Sequence, residues 1–145
     1  MAEKSKGHNI SEAEWEVMRI VWTLGKIHTG EVIKQLQAKK NWSESTIKTL
    51  MGRLVKKGLL TTHKDGRRFV YTATVTENQM MVQVTTEMMS HMCDMHKGQM
   101  LIEILKGMPL SKKDIATIEQ ELTEKAKTAP TMVDCNCLAA EQHDC

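Results

Sequence analysis

At 145 residues the chain has room for one ordinary domain or two small ones, and 41% hydrophobic against 26% charged residues excludes a disordered polyelectrolyte. No run of eighteen apolar residues exists and the opening MAEKSKGHNI has no apolar core, so a membrane span and an export signal are not expected and the cytoplasm is. The net charge of +2 conceals a division: residues 1–75 hold fourteen Lys and Arg against seven Asp and Glu, and residues 76–145 hold six against eleven, as in a nucleic-acid-facing module joined to something else.

The first predicted element lies in ISEAEWEVMRIVWTLG. Ser11 and Glu14 form a capping box, in which each side chain satisfies the other's orphan backbone N–H, and Ile10 and Trp15 form the hydrophobic staple. Trp15, Met18 and Trp22 share one face, and Gly25 ends the helix. HTGEVIKQLQAKKNW predicts a shorter helix, with Thr29 as N-cap and Val32, Ile33 and Leu36 facing inward. WSESTIKTLMGRLVKKG predicts a third, capped by Ser43 and stopped by Gly58. Two strands follow, Leu60 to Lys64 and Arg68 to Thr74, around Asp65-Gly66, a strong hairpin signal. Three helices and then a hairpin is the order of a winged helix-turn-helix.

Beyond the hairpin, Met81, Val84, Met88 and Met95 recur near heptad spacing and predict a helix with a long apolar seam, broken by Gly98. QMLIEILKGM predicts a short helix stopped before Pro109, and SKKDIATIEQELTEKAK a last one, with Ser111 and Asp114 as a capping box and Ile115, Ile118 and Leu122 on one face. The expected fold class is mainly α with a small β-hairpin wing. The expected organisation is a winged-helix domain over 1–75, a helical domain over 76–129, to which the resemblance described below adds dimerisation, and a cysteine-rich tail over 130–145, expected to bind metal.

On a helical wheel the third helix turns Ile47, Leu50, Met51, Leu54 and Val55 to one side and Ser45, Thr46, Lys48, Thr49, Gly52, Arg53 and Lys56 to the other. The outer face holds hydroxyls and cations and no carboxylate. Short hydroxyls let a helix sit close to DNA, and Lys and Arg reach phosphates or guanine. At the hairpin tip Lys64, Arg67 and Arg68 surround a tight turn that suits the phosphate backbone, where contacts set affinity and salt dependence rather than sequence choice. A solvated amphipathic helix and an ordinary polar turn are the plain alternatives; the preceding helix-turn and the basic wing together favour DNA.

The phrases ISEAEWEVMRIVW, TGEVIKQLQ, WSESTIKTLMGRLVKKGLL and DGRRFVYTATV, in this order, resemble the BlaI/MecI family of bacterial repressors over roughly residues 8–125. The resemblance implies a winged-helix DNA-binding domain, a helical dimerisation domain and an inverted-repeat operator. It makes 43–57 the reading helix, with Ser43, Ser45, Thr46, Lys48, Thr49 and Arg53 as candidate DNA contacts beside Lys64, Arg67 and Arg68 of the wing. Penicillinase-type members of the family are cut at an Asn-Phe bond; the single phenylalanine here, Phe69, follows an arginine, so that bond is absent.

Three of the four cysteines fall within the last eleven residues, as Cys135-x-Cys137 and His143-x-Cys145 separated by five residues. In a cytosolic chain such clustering indicates metal ligands or redox thiols before disulfides. Three thiolates and an imidazole suit tetrahedral Zn(II), and thiolates alone suit Cu(I). The tail resembles that of CopY-type copper-responsive repressors, whose pattern is Cys-x-Cys, four residues, Cys-x-Cys; here one thiol is replaced by His143 and the spacing has grown by one. That resemblance implies a zinc-loaded dimer on DNA and release when Cu(I) displaces zinc, with double-stranded operator DNA, a second copy of the chain and a copper chaperone as partners. With three tail thiols, either His143 serves as the fourth zinc ligand only, or two tails pool six thiols across the dimer, or the metal stoichiometry differs from the family norm. A second cluster, His91, Met92, Cys93, Met95 and His96, offers soft donors, although a packed interface helix explains its methionines as well.

The leading expectation is thus a copper-responsive repressor of a copper-homeostasis operon. The alternatives are a repressor of the same family with a structural zinc tail and a different effector, and a metal-buffering or thiol-exchange protein. No Ser/His/Asp set, phosphate loop or paired carboxylates stand out, and no enzyme is expected.

Overall fold

Helix α1 (Glu12–Leu24) begins with the anticipated capping box: the Ser11 hydroxyl accepts the Glu14 N–H at 3.1 Å and the Glu14 carboxylate accepts the Ser11 N–H at 2.9 Å. Gly25, at φ 79°, ends it, a left-handed conformation that costs glycine no Cβ clash. The structure, a computed structural model, describes residues 10–139, with a first compact unit extending to Glu87 and a second beginning at Met88. In the first unit α1 is followed by β1 (Ile27–His28), α2 (Thr29–Lys39), α3 (Glu44–Lys56), β2 (Leu60–Asp65) and β3 (Arg68–Ala73). The three strands form an antiparallel sheet of order β1-β3-β2. This is a winged helix.

Sequence and structure differ at the start of α2. His28, not Thr29, holds the N-cap position, and it makes no side-chain cap. The reason is β1: His28 is extended because it pairs with Val70, and its ring lies 3.3 Å from the Asp65 carboxylate. Helix α3 matches its sequence pattern closely. Ser43 caps it through the Thr46 N–H at 3.2 Å. At its end the Leu59 N–H reaches the Leu54 carbonyl and the Gly58 N–H the Val55 carbonyl, a Schellman motif with Gly58 at φ 79°.

The inner faces of α1, α2 and α3 meet in one core. Val17, Met18, Val32, Leu36, Ile47, Leu54 and Leu59 are completely buried, and Met51 is nearly so. Trp15 and Trp22 pack edge to face with ring centroids 5.8 Å apart, and the Trp22 indole donates to the Val75 carbonyl at 2.9 Å. One charge is buried with them. Glu14 is 2% exposed, and Lys57 reaches it at 2.6 Å from the end of α3. Desolvation pushes the Glu14 carboxyl up, but the Lys57 ammonium and the Ser11 N–H outweigh it and hold the group below its usual range.

Lys57→Met is therefore expected to cost about 1–3 kcal/mol at neutral pH, as a buried carboxylate loses its counter-charge. The value is at the low end for buried pairs because Lys57 keeps 33% of its side-chain surface in water. Since the folded Glu14 is the stronger acid, its stabilisation is complete above the unfolded carboxyl range and is lost as pH falls through the folded value. Urea titrations across pH check this: the gap between wild type and variant narrows on acidification below about pH 4.5, and a gap independent of pH contradicts it.

Helix α4 (Glu77–Met89) carries a second difference. Met80 and Val84 pack on the winged-helix core, while Met81 and Met88 of the expected seam are 49% and 60% exposed. A capping box sets this phase: the Thr76 hydroxyl accepts the Gln79 N–H, and the Gln79 amide oxygen accepts the Thr76 N–H. The helix also stops earlier than Gly98. It ends at Met89, a 3₁₀ turn occupies Asp94–His96, and Gly98 lies inside the first turn of α5 (Lys97–Gly107). Cys93 is extended there, and the Asp94 N–H is taken by the Asn136 side chain at 2.9 Å rather than by a helical carbonyl. Helix α6 (Lys112–Ala126) starts with the anticipated Ser111/Asp114 capping box. No helix of the described residues is long and apolar enough to cross a membrane.

Candidate functional site

Two regions gather chemistry. The first is the outer face of α3 and the wing beside it. Burial divides α3 as its periodicity requires: Ile47, Leu50, Met51 and Leu54 are buried, and Ser45, Thr46, Lys48, Thr49, Gly52, Arg53 and Lys56 are exposed. Ser45, Thr46, Thr49 and Arg53 line a shallow depression along that face. Several of these groups are already engaged. The Ser43 hydroxyl caps the helix and donates to the Thr46 hydroxyl, the Thr49 hydroxyl donates to the Ser45 carbonyl, and Lys48 pairs with Glu44 at 2.8 Å. Arg53 is exposed and lines the same depression.

A cleft of about 460 Å³ brings Lys48 together with Arg67 and Arg68 of the wing and with His28, Thr29 and Gly30 at the start of α2. Three cations and a helix N-terminus around one concavity attract a phosphodiester. Lys64 stands across the hairpin from Phe69, its ammonium 5.7 Å from the ring centroid. The wing is thereby shaped as well as charged.

The second region lies wholly in the second unit. The sulfur atoms of Cys93, Cys135 and Cys137 all lie within 4.8 Å of one another. Cys135 is buried, and the Cys137 N–H donates to its sulfur at 3.4 Å. The Asp94–Asn136 hydrogen bond fastens the same two chain segments, and Lys97 holds the Asp94 carboxylate at 2.6 Å. Desolvation pushes the Cys93 thiol up, but N–H groups of Met95, Asn136 and His96 and the Cys137 thiol prevail and hold it below the usual thiol range. Cys137 moves up, chiefly because its thiol donates to Cys93. Cys135 carries a disulfide in the structure, so its sulfur is available to a metal after reduction.

The donor set fits a soft ion. A Zn–S bond of about 2.3 Å needs neighbouring sulfurs about 3.8 Å apart, a separation within the 4.8 Å that bounds this group. Three sulfurs supply three corners of a zinc tetrahedron or a trigonal Cu(I) site. Of the residues the sequence proposed as metal ligands, Cys135 and Cys137 are in the cluster, and His143 and Cys145 lie outside the described residues. Cys93, which the sequence grouped with its neighbours, sits with the tail instead, while His91 and His96 are set apart from the three sulfurs. No spacing rule connects residues 93 and 135; only the scarcity of cysteine hinted that Cys93 belongs with Cys135 and Cys137.

The penicillinase repressor family profile matches residues 10–124. The chain is 51% identical over 138 residues to an uncharacterized 16.5 kDa protein in the ptsI 3′ region of Latilactobacillus sakei, covering 95% of this chain and 93% of that one. It is 37% identical over 115 residues to the penicillinase repressor of Bacillus licheniformis, covering 79% and 90%. The solution structure of monomeric Bacillus licheniformis BlaI in complex with the blaP half-operator shares 50% identity over 48% of this chain and 85% of that one, with a TM-score of 0.45.

Proposed function

Because the chain belongs to the penicillinase repressor family of DNA-binding transcriptional repressors and is not an enzyme, we propose that it is a copper-responsive repressor of a copper-homeostasis operon. In this reading a zinc-loaded homodimer binds an inverted-repeat operator in the cytoplasm and leaves it when Cu(I) displaces zinc at the C-terminal thiols. The observation that carries the reading is the sulfur cluster, a soft-metal donor set on a chain of this family.

The roles follow from placement. Helix α3 enters the major groove with Ser45, Thr46, Lys48, Thr49 and Arg53 outward, and Ser43 sets the start of the helix. Lys64, Arg67 and Arg68 lie along the backbone. Lys48 exchanges its Glu44 partner for a phosphate, while Arg53 reaches a base edge or the backbone. In the second unit, exposed Leu101, Ile102, Ile104, Met108, Ile115 and Leu122 supply the apolar face of the dimer. Zinc bound by the thiols neutralises crowded thiolates and holds the tail in one shape.

Arg67→Ala combined with Arg68→Ala is expected to flatten the dependence of log K on log salt by roughly 2 on a half-operator, about one unit for each phosphate no longer neutralised, and by about twice that for the dimer on a full operator. Sequence preference is unaffected. An unchanged salt slope would move the wing off the backbone.

Fluorescence anisotropy on a labelled duplex of the promoter upstream of the gene tests the whole reading. Zinc-loaded protein binds, and buffered Cu(I) added without oxygen releases the DNA as zinc appears in solution. Tight binding that ignores Cu(I) keeps the repressor and removes copper as its signal.

A further inference from the structure

We propose that Cys93 is a metal ligand, and that one soft metal ion held by Cys93, Cys135 and Cys137 cross-links the turn before α5 to the segment after α6. The inference rests on the same thiol site as the proposed function and adds a ligand from outside the tail. It changes what the metal does. An ion held by the tail alone orders only the tail, whereas one that includes Cys93 closes a ring of chain containing both α5 and α6.

The geometry supports a ring. The three sulfurs already lie within 4.8 Å of one another. The approach does not depend on sulfur alone, because the Asn136 side chain, from between the two tail cysteines, accepts the Asp94 N–H at 2.9 Å. That bond docks the tail on the residue next to Cys93. The turn itself presents the ligand. Cys93 is extended at the head of a 3₁₀ turn, and the His96 N–H returns to its carbonyl at 3.1 Å, fixing the backbone that carries its sulfur. Sulfur donors select Zn(II) and Cu(I) over Mg(II) and Ca(II), which require oxygen. Formation of the site starts with a dithiol or phosphine reductant, which transfers two electrons to the Cys135 disulfide and is itself oxidised. The resulting thiols release their protons as the metal binds.

A cross-link between distant chain positions stabilises chiefly by removing freedom from the unfolded chain, and the effect grows with ring size. Metal occupancy therefore restrains the chain between Cys93 and Cys137, the stretch whose helices α5 and α6 expose Leu101, Ile102, Ile115 and Leu122. Loss or exchange of the ion is felt at that apolar face and not only at the tail.

The test uses the full chain, reduced and freed of reductant without oxygen, as wild type and as Cys93→Ser. Zinc affinity is measured against a chromophoric chelator, and Co(II) replaces zinc to read the thiolate-to-metal charge-transfer band. Cys93→Ser is expected to bind zinc at least ~tenfold more weakly, lose one thiolate's share of the cobalt band and lose most of the rise in melting temperature that zinc gives the wild type. Equal affinity and an equal band overturn the proposal. A second measurement needs no variant: zinc slows iodoacetamide labelling of Cys93 in the wild type along with Cys135 and Cys137. Labelling of Cys93 at an unchanged rate while the other two are protected overturns it as well. The operator assay separates the two claims. Zinc held through Cys93 without effect on DNA binding sinks the switch and keeps the ligand; a copper switch intact in Cys93→Ser, with unchanged zinc affinity, does the reverse.

Discussion

Aspartate in place of both Ile102 and Leu122 is expected to leave the chain monomeric and to weaken binding to a full operator by about two to four orders of magnitude. The two side chains are 50% and 52% exposed on α5 and α6, among further exposed apolar residues on the same two helices. Aliphatic residues exposed on both helices suit burial against a second copy of the chain. A carboxylate there faces desolvation on association, which a contact made of aliphatic groups does not compensate. The loss on DNA is large because the second half-site is bound intramolecularly once the first is engaged, and the monomer forfeits that effective concentration. Sedimentation equilibrium reports the mass, and anisotropy with full and half operators separates the causes. Half-site affinity close to wild type shows that the reading helix is intact. A double variant that still sediments as a dimer places the contact elsewhere on the chain.

The second large effect is expected at Cys135. Under reducing conditions Cys135→Ser binds the operator within about threefold of wild type and no longer responds to Cu(I). The wild type, by comparison, weakens at least ~100-fold, about 2.7 kcal/mol of coupling. Cys135 is the most buried sulfur of the cluster at 8% exposure, and the Cys137 N–H is directed at it. Serine keeps the size and accepts the same N–H but is a poor ligand for a soft ion. The ligand set therefore changes while the winged helix, which contains no cysteine, does not. A Cys135→Ser protein that leaves DNA at the same copper concentration puts the sensor outside this cluster. One that does not bind DNA at all makes the metal a structural requirement, the reading in which a zinc clasp serves some other signal.

What was legible in the sequence is what short-range physics decides. The Ser11/Glu14 and Ser111/Asp114 capping boxes, the Ser43 cap, the Gly58 stop and the Asp65-Gly66 turn each act over a few residues, and each is present. The division of α3 into buried and exposed faces follows from its period. The Thr76/Gln79 box was equally local, and it would have placed Met80 rather than Met81 on the inner face. Other features depend on distant partners. Two residues make a strand of Ile27–His28 only because Tyr71 and Val70 pair with them. Lys57 is neutralised by a carboxylate 43 positions earlier. The chain departs from helix before Cys93 where a side chain 42 positions later takes the Asp94 N–H, and the same approach carries Cys93 to the tail sulfurs. No window of sequence contains both ends of such contacts.

The Trp22 indole bonded to the Val75 carbonyl has a practical meaning. All three tryptophans, Trp15, Trp22 and Trp42, precede residue 43, and all four cysteines follow residue 92. Indole emission is thus a signal from the winged helix alone, sensitive to any event that frees Trp22 from its carbonyl. Thiolate-to-metal absorption is a signal from the other unit alone. Followed together in one stopped-flow trace, the two wavelengths give the order of events without a label: whether the metal changes hands before the DNA-reading unit responds, and with what delay.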